Sequence, residues 1–94
     1  MKKPKQIWEL YIIECKDGSF YTGITIDVKR RLTLHETGKG AKYTRGRAPL
    51  KLVYRKSFKS KSAALVREAK IKSMTKAEKV ELVKSWLKAE AQSL

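Results

Sequence analysis

Cysteine, histidine and long apolar runs are scarce in this chain of 94 residues. The one cysteine, Cys15, excludes an internal disulfide and fits a reducing compartment. The one histidine, His35, leaves no Cys/His cluster, which argues against a zinc site. No apolar run approaches the roughly 20 residues of a membrane-spanning helix, and no apolar signal region follows the basic residues 1–6. We therefore expect a cytoplasmic protein without a membrane partner.

Negative charge is also scarce, because 9 Asp and Glu stand against 23 Lys and Arg, a formal net charge of +14. This excess predicts a polyanionic partner, and nucleic acid is favoured over an anionic membrane surface. Between Glu36 and Glu68 the chain has ten cations and no acidic residue. The stretch is either a solvated face or a phosphate-binding track, and we favour a track that recognises backbone or shape. The predicted nucleic-acid-binding residues are Lys39, Lys42, Tyr43 as a stacking platform, Arg45, Arg47, Lys51 and Arg55.

The length predicts one domain over residues 1–94, with a core from about 7 to 88. Two runs rich in β-branched and aromatic residues, 7–15 and 20–24, flank an Asp-Gly turn and predict a β-hairpin. A third strand is expected over 50–58, where apolar and polar residues partly alternate.

Three helices are expected between and after these strands. The first begins at Thr25 or Asp27 and ends at Gly38. The second runs from about 61 to 74, and a Thr-x-x-Glu capping box at 75–78 opens the third. The order β-β-α-β-α-α predicts an α+β domain in which a small sheet is covered by helices.

The first predicted helix brings polar side chains to the edge of an apolar face. At about 100° per residue, Val28, Arg31, Leu32 and His35 fall within an arc of roughly 100°. Val28 and Leu32 should face the core, which leaves Arg31 and His35 on the rim of that face. Tyr21, on the preceding strand, is expected to point to the same place. This combination is typical of a site that handles a phosphate.

Glu68 falls in the apolar arc of the second predicted helix, beside Leu65 and Ile71, which should point inward. A carboxylate on an apolar face costs several kcal/mol unless it is paired or bound to a metal. Three partners are open: Lys72 one turn on, Arg31 across the edge of the core, or one divalent metal ion. Magnesium is the default metal, since it binds one carboxylate together with phosphate oxygens and waters.

The spacing of six residues resembles the signature of the GIY-YIG nucleases, above all the small stand-alone bacterial proteins similar to the amino-terminal nuclease domain of UvrC. The resemblance covers roughly residues 8–85 and implies a three-stranded antiparallel sheet flanked by helices. It depends on the combined spacing and not on any single triad. The matching residues are Tyr11, Tyr21, Gly23, Arg31, His35 and Glu68.

The resemblance also implies roles for these residues in hydrolysis of a DNA phosphodiester. Glu68 would hold one Mg²⁺ or Mn²⁺ ion, and Arg31 would stabilise charge on the phosphoryl oxygens. Tyr11 or Tyr21 would act as general base toward a water, and His35 would orient the tyrosine or share the proton transfer. The implied setting is DNA repair or recombination, with a larger repair protein as a further partner.

Three departures from the family pattern keep other functions open. Glu9 stands where the first triad has Gly, Ile24 stands where UvrC-like domains have Lys, and the chain has no Asn. The first alternative is a nucleic-acid-binding module with weak or no catalysis. Each of the two strand tyrosines also has a structural interpretation, as a core residue with a hydrogen-bonded hydroxyl. The second alternative is an adaptor that exposes Trp86, although core packing of Trp86 is favoured. Gly23 is expected to let the backbone pass close to the phosphate or to the helix start.

Overall fold

Three strands and three helices follow one another in the predicted order in the computed structural model, which describes residues 6–92. Residues 1–5 and 93–94 of the predicted domain lie outside the described residues. No helix in the described part is both long and apolar enough to cross a membrane. The elements are β1 (Trp8–Glu14), β2 (Phe20–Thr25), α1 (Val28–Glu36), a 3-10 turn (Lys42–Thr44), β3 (Lys51–Phe58), α2 (Lys61–Lys72) and α3 (Lys76–Gln92).

β1 is the central strand of an antiparallel sheet with the order β2-β1-β3. Tyr11 of β1 lies opposite Gly23 of β2 on one side and Arg55 of β3 on the other. Its neighbour Ile12 lies opposite Tyr54. Because successive side chains of a strand point to opposite faces, the Tyr11 and Ile12 faces have different environments. The predicted α+β fold with a three-stranded antiparallel sheet is confirmed.

The Ile12 face of the sheet carries the hydrophobic core. Residues from β1 and β3 pack there against α2 and α3, and Trp86 packs against this cluster with its ring centroid 6.4 Å from that of Tyr54. Trp86 is therefore half-buried against the core, the position favoured from the sequence. The buried members of the cluster are Leu10, Ile12, Val53, Tyr54, Ile71 and Val83.

The helix ends follow the predicted capping residues. The side chain of Asp27 accepts a hydrogen bond from the Arg30 backbone N–H at 3.1 Å and so begins α1. Gly38, at φ +77°, follows the end of α1 in the left-handed conformation that glycine adopts readily. At the start of α3, Thr75 and Glu78 exchange side-chain-to-backbone hydrogen bonds of 3.0 and 3.2 Å.

Two side chains depart from the positions that helical periodicity gave them. His35 lies inside the protein and not on the rim of α1, because the loop after α1 folds back over its ring. Leu65 is 43% exposed, and the buried face of α2 is formed by Ala64 and Ile71. Periodicity locates a helix face, but the neighbours that cover it come from distant parts of the chain.

Candidate active site

Tyr11 and His35 form a hydrogen-bonded pair at the centre of the candidate site. The Tyr11 Oη lies 3.0 Å from the His35 Nε2. Each residue is only 1% exposed. Gly23 faces Tyr11 across the hairpin, and a Cβ at that position would lie 2.6 Å from the phenol oxygen. The absence of a side chain at Gly23 thus makes room for the Tyr11 phenol, which gives this glycine a steric role the sequence did not indicate.

The other ring nitrogen of His35 is enclosed by the loop that follows α1. The His35 Nδ1 lies 2.8 Å from the Thr44 Oγ1 and accepts a hydrogen bond from the Ala41 backbone N–H at 3.3 Å. A Cβ at Gly40 would overlap this same nitrogen. Sequence reasoning missed both Thr44 and Gly40. The available signal was a glycine and a hydroxyl residue shortly after the one histidine of the chain.

Tyr21 extends the Tyr11–His35 pair toward the surface. Its ring centroid lies 5.1 Å from that of His35 in an edge-on arrangement and 6.3 Å from that of Tyr11. The Tyr43 ring stacks on Tyr21 at 6.0 Å and is 42% exposed. The Arg47 guanidinium lies 4.4 Å from the Tyr43 ring centroid. Tyr43 and Arg47 therefore connect the buried pair to the basic loop.

Burial and the charge of Arg31 govern the protonation of the pair. Burial raises the pKa of Tyr11, while a hydrogen bond with Arg31 lowers it in part. Burial also lowers the pKa of His35, and the nearby Arg31 charge lowers it further. The pKa of Arg31 is raised, first by its hydrogen bond with Tyr11. At neutral pH the site therefore holds a phenol, a neutral imidazole and a guanidinium cation.

Glu68 lies near this group, on α2. Its side chain is 18% exposed, and its carboxylate lies 3.7 Å from the Lys72 Nζ, the first of the ion pairs expected from the sequence. The Glu68 charge contributes, after burial and other effects, to the raised pKa of Tyr11, so it is felt inside the site. Glu68 thus combines a partial ion pair with access to solvent.

The donor set around Glu68 limits which metal it could hold. Within residues 6–92 there is no cluster of three or more His, Cys, Asp or Glu side chains suited to a metal ion. Magnesium and manganese suit such a site, because Mg²⁺ is commonly bound by one or two carboxylates plus phosphate oxygens and waters. The residues present therefore fit an ion that enters with a phosphate.

The predicted nucleic-acid-binding residues lie at the surface, but two are already paired with carboxylates. Glu9 holds Arg55 through two hydrogen bonds of 2.8 Å and also accepts one from Ser57 at 3.1 Å. Asp17 forms an ion pair with Arg47. The other four predicted cations are exposed on the loop and at the start of β3, in a stretch of sequence without acidic residues. They are Lys39, Lys42, Arg45 and Lys51.

Known proteins share this arrangement of sequence and fold. A family model described as the GIY-YIG catalytic domain matches residues 7–81. A UPF0213 protein of Streptococcus agalactiae is 53% identical over 75 residues, which cover 80% of this chain and 85% of that protein. A UPF0213 protein of Halobacterium salinarum is 54% identical over 70 residues, covering 74% and 91% of the two chains. The solution NMR structure of a UPF0213 protein from Bacillus halodurans has 50% identity and a TM-score of 0.56 over 83% of each chain.

Proposed function

From the premise that the chain belongs to the GIY-YIG family, a nuclease family, we propose that it is an endonuclease that hydrolyses DNA phosphodiester bonds with one divalent metal ion. The observation that carries the proposal is the meeting of five side chains from four elements. Two phenols, one imidazole and one guanidinium share a site, and a carboxylate acts on it electrostatically. These residues are Tyr11, Tyr21, Arg31, His35 and Glu68.

The tyrosines supply the base in this mechanism. The phenolate of Tyr11 or Tyr21 takes a proton from a water molecule, whose oxygen attacks the phosphorus. The bond between phosphorus and the leaving oxygen then breaks, and the leaving oxygen takes a proton from solvent. The pKa of Tyr11 is raised by burial, so its phenolate requires nearby positive charge.

Arg31 supplies that positive charge within the chain itself. Its interaction with Tyr11 is the largest cause of its raised pKa, so the guanidinium remains fully charged. Placed beside the phosphoryl oxygens, Arg31 stabilises the charge that develops on them in the transition state. Glu68 would hold the divalent ion, which when bound supplies Lewis-acid stabilisation of the leaving oxygen.

Positive charge around the basic loop supports DNA as the substrate. Lys39, Lys42, Arg45 and Lys51 are exposed and suit the phosphates on either side of the cleavage point. Tyr43 offers an exposed ring edge to a sugar or base. The similarity to the UvrC nuclease domain is the reason to propose a role in repair or recombination, alongside a larger repair protein.

A DNA-binding module with weak or no catalysis is the second candidate. Two departures from the family pattern favour it. Glu9 stands where the family has Gly and forms an ion pair with Arg55, and Ile24 stands where UvrC-like domains have Lys. The two candidates predict the same DNA affinity but differ in metal-dependent cleavage.

The experiment that separates them measures cleavage of labelled nicked, flapped and branched DNA with Mg²⁺, Mn²⁺ or EDTA. Glu68→Gln removes the carboxylate charge while keeping the side-chain size. Glu81→Gln, at an exposed position of α3, is the matched control for the loss of one negative charge. We expect Glu68→Gln to abolish cleavage and retain DNA binding, and Glu81→Gln to behave as wild type.

Two outcomes would contradict the proposal. Cleavage by Glu68→Gln at the wild-type rate would remove the metal role of Glu68. Salt-dependent binding by the wild-type protein, with no cleavage of any substrate at any metal concentration, would establish the binding module.

A further inference from the structure

The position of the proton on the His35 ring depends in part on a neighbouring backbone amide, which is always a hydrogen-bond donor. The Ala41 N–H donates to the His35 Nδ1 at 3.3 Å, and an amide nitrogen of this kind always carries its hydrogen. A hydrogen on Nδ1 would then point at the amide hydrogen. At 3.3 Å this bond is long, so it favours a lone pair on Nδ1 without fixing the tautomer alone. A neutral imidazole with a bare Nδ1 carries its proton on Nε2.

The Thr44 hydroxyl is placed to reinforce this tautomer. Its Oγ1 lies 2.8 Å from the His35 Nδ1 and 2.9 Å from the Ala41 carbonyl oxygen, and it has one hydrogen for the two acceptors. The Ala41 carbonyl already accepts the Thr44 backbone N–H at 3.2 Å. The Thr44 hydroxyl is within donating distance of both the Ala41 carbonyl and Nδ1, and donation to a bare Nδ1 avoids two lone pairs facing each other at 2.8 Å. Thr44 is itself only 1% exposed, so water does not compete for this bond.

We infer that Thr44, together with the Ala41 amide, is a positioning residue that holds neutral His35 as its Nε2–H tautomer. His35 is then a hydrogen-bond donor to the Tyr11 oxygen and not the acceptor of the Tyr11 proton. The tautomer itself depends on geometry alone. Its catalytic meaning rests on the proposed nuclease function.

That meaning concerns the Tyr11 oxygen. With His35 donating through Nε2 at 3.0 Å, this oxygen accepts a hydrogen bond from a neutral imidazole, and the nearby Arg31 charge lowers the pKa of Tyr11 in part. In this tautomer His35 stabilises the Tyr11 anion when it forms and does not take the Tyr11 proton.

The steric fit around the ring supports a built arrangement. A Cβ at Gly40 would overlap the His35 Nδ1, so the chain approaches this nitrogen as closely as glycine permits. The 3-10 turn Lys42–Thr44 then returns the hydroxyl to the same nitrogen. The short loop therefore presents two donors to one nitrogen.

Nitrogen NMR on the full chain tests the tautomer directly. Because the chain has one histidine, ¹⁵N-histidine labelling gives a single pair of ring signals. At neutral pH we expect a pyridine-like Nδ1 and a pyrrole-like Nε2. Thr44→Val should shift the pair toward a mixture of tautomers, and Thr44→Ser should restore it. Thr33→Val, which removes an exposed hydroxyl that bonds only to the Lys29 carbonyl, is the matched control.

The two proposals fail in distinguishable ways. A protonated Nδ1 in the wild type, or an unchanged tautomer in a folded Thr44→Val protein, would overturn this inference whatever the nuclease activity. In the cleavage assay we expect Thr44→Val to lower kcat by roughly tenfold, less than the 10²–10⁴-fold that loss of a general base costs, with KM unchanged and Thr44→Ser rescuing. The predicted tautomer in a protein that cleaves nothing would overturn the nuclease function and leave the positioning of His35 intact.

Discussion

The Tyr11 hydroxyl and the His35 imidazole, 24 residues apart along the chain, meet at 3.0 Å where both residues are withdrawn from water. A buried polar group that loses its partner costs about 1–3 kcal/mol, so each of the two depends on the other. The pair therefore ties the central strand β1 to α1.

Removal of the Tyr11 hydroxyl should affect stability and activity together. Tyr11→Phe leaves the His35 Nε2 without its partner, so we expect the free energy of unfolding to fall by about 1–3 kcal/mol. Cleavage should fall by roughly 10²-fold or more, the contribution of a general base. Tyr21→Phe, which keeps the Tyr11–His35 bond, should cost less in both measurements. Urea unfolding and the DNA cleavage assay test this, and equal losses in the two variants would refute it.

The free energy of unfolding should decrease at acidic pH because His35 is buried in its neutral form. Burial, and then the Arg31 charge, lower the pKa of His35 below its ordinary value of 6.5. Between that lowered pKa and 6.5 the unfolded chain binds more protons than the folded one, so protonation favours unfolding. The contribution of His35 to the free energy of unfolding is complete above pH 6.5. It falls as the pH decreases and levels off below the pKa of His35 in the folded protein. The groups around the ring are Tyr11, Tyr21, Arg31 and Thr44.

Urea unfolding between about pH 7.5 and pH 5 measures this slope. His35→Gln is the reference, since it removes the one histidine of the chain. The carboxyls of Asp17 and Glu78 have pKa values lowered by hydrogen bonds from Ser19 and Thr75, so they titrate below this window. An equal slope in the wild type and His35→Gln would show that His35 is not held neutral.

Two glycines at the site should be intolerant of a methyl group. Gly23→Ala would place a Cβ 2.6 Å from the Tyr11 phenol oxygen, and Gly40→Ala would place one against the His35 ring. Overpacking of this kind costs about 1–3 kcal/mol. At Gly46 the space is open and φ is +74°, so Gly46→Asn is the control, because Asn tolerates this conformation. Thermal unfolding should rank both alanine variants below the control, and a stable Gly40→Ala protein would contradict the close approach.

Much of the fold was predictable, because its local signals agree with one another. The Asp-Gly turn, the Asp27 cap and the Thr75–Glu78 capping box each act within a few residues, and the structure has all three. Membership of the GIY-YIG family was predictable too, because the residues that resemble the family signature can be read from this one sequence. A single sequence carries both kinds of signal.

The interior of the site was less predictable, because its contacts join residues that are distant or unremarkable in sequence. His35 looked like a rim residue on α1, and only the return of the loop to Thr44 buries it. Arg55 looked like a free cation until the sheet register brought it beside Glu9. Helical and strand periodicity cannot report such pairings, since they depend on which elements become neighbours. The roles of the site residues remain predictions that the variants test.

The ion pairs at the surface lead to the last prediction, which concerns DNA affinity. A cation that contacts one phosphate contributes roughly one unit to the slope of log affinity against log salt. Lys42 is exposed on the basic loop, so Lys42→Gln should weaken binding and reduce that slope by about one. Arg55 is held by two hydrogen bonds to Glu9, so Arg55→Gln should change the slope less. Fluorescence anisotropy at several salt concentrations measures both, with Lys84→Gln on α3 as the control. If Lys84→Gln lowered the slope as much as Lys42→Gln, binding would follow net charge and not the basic loop.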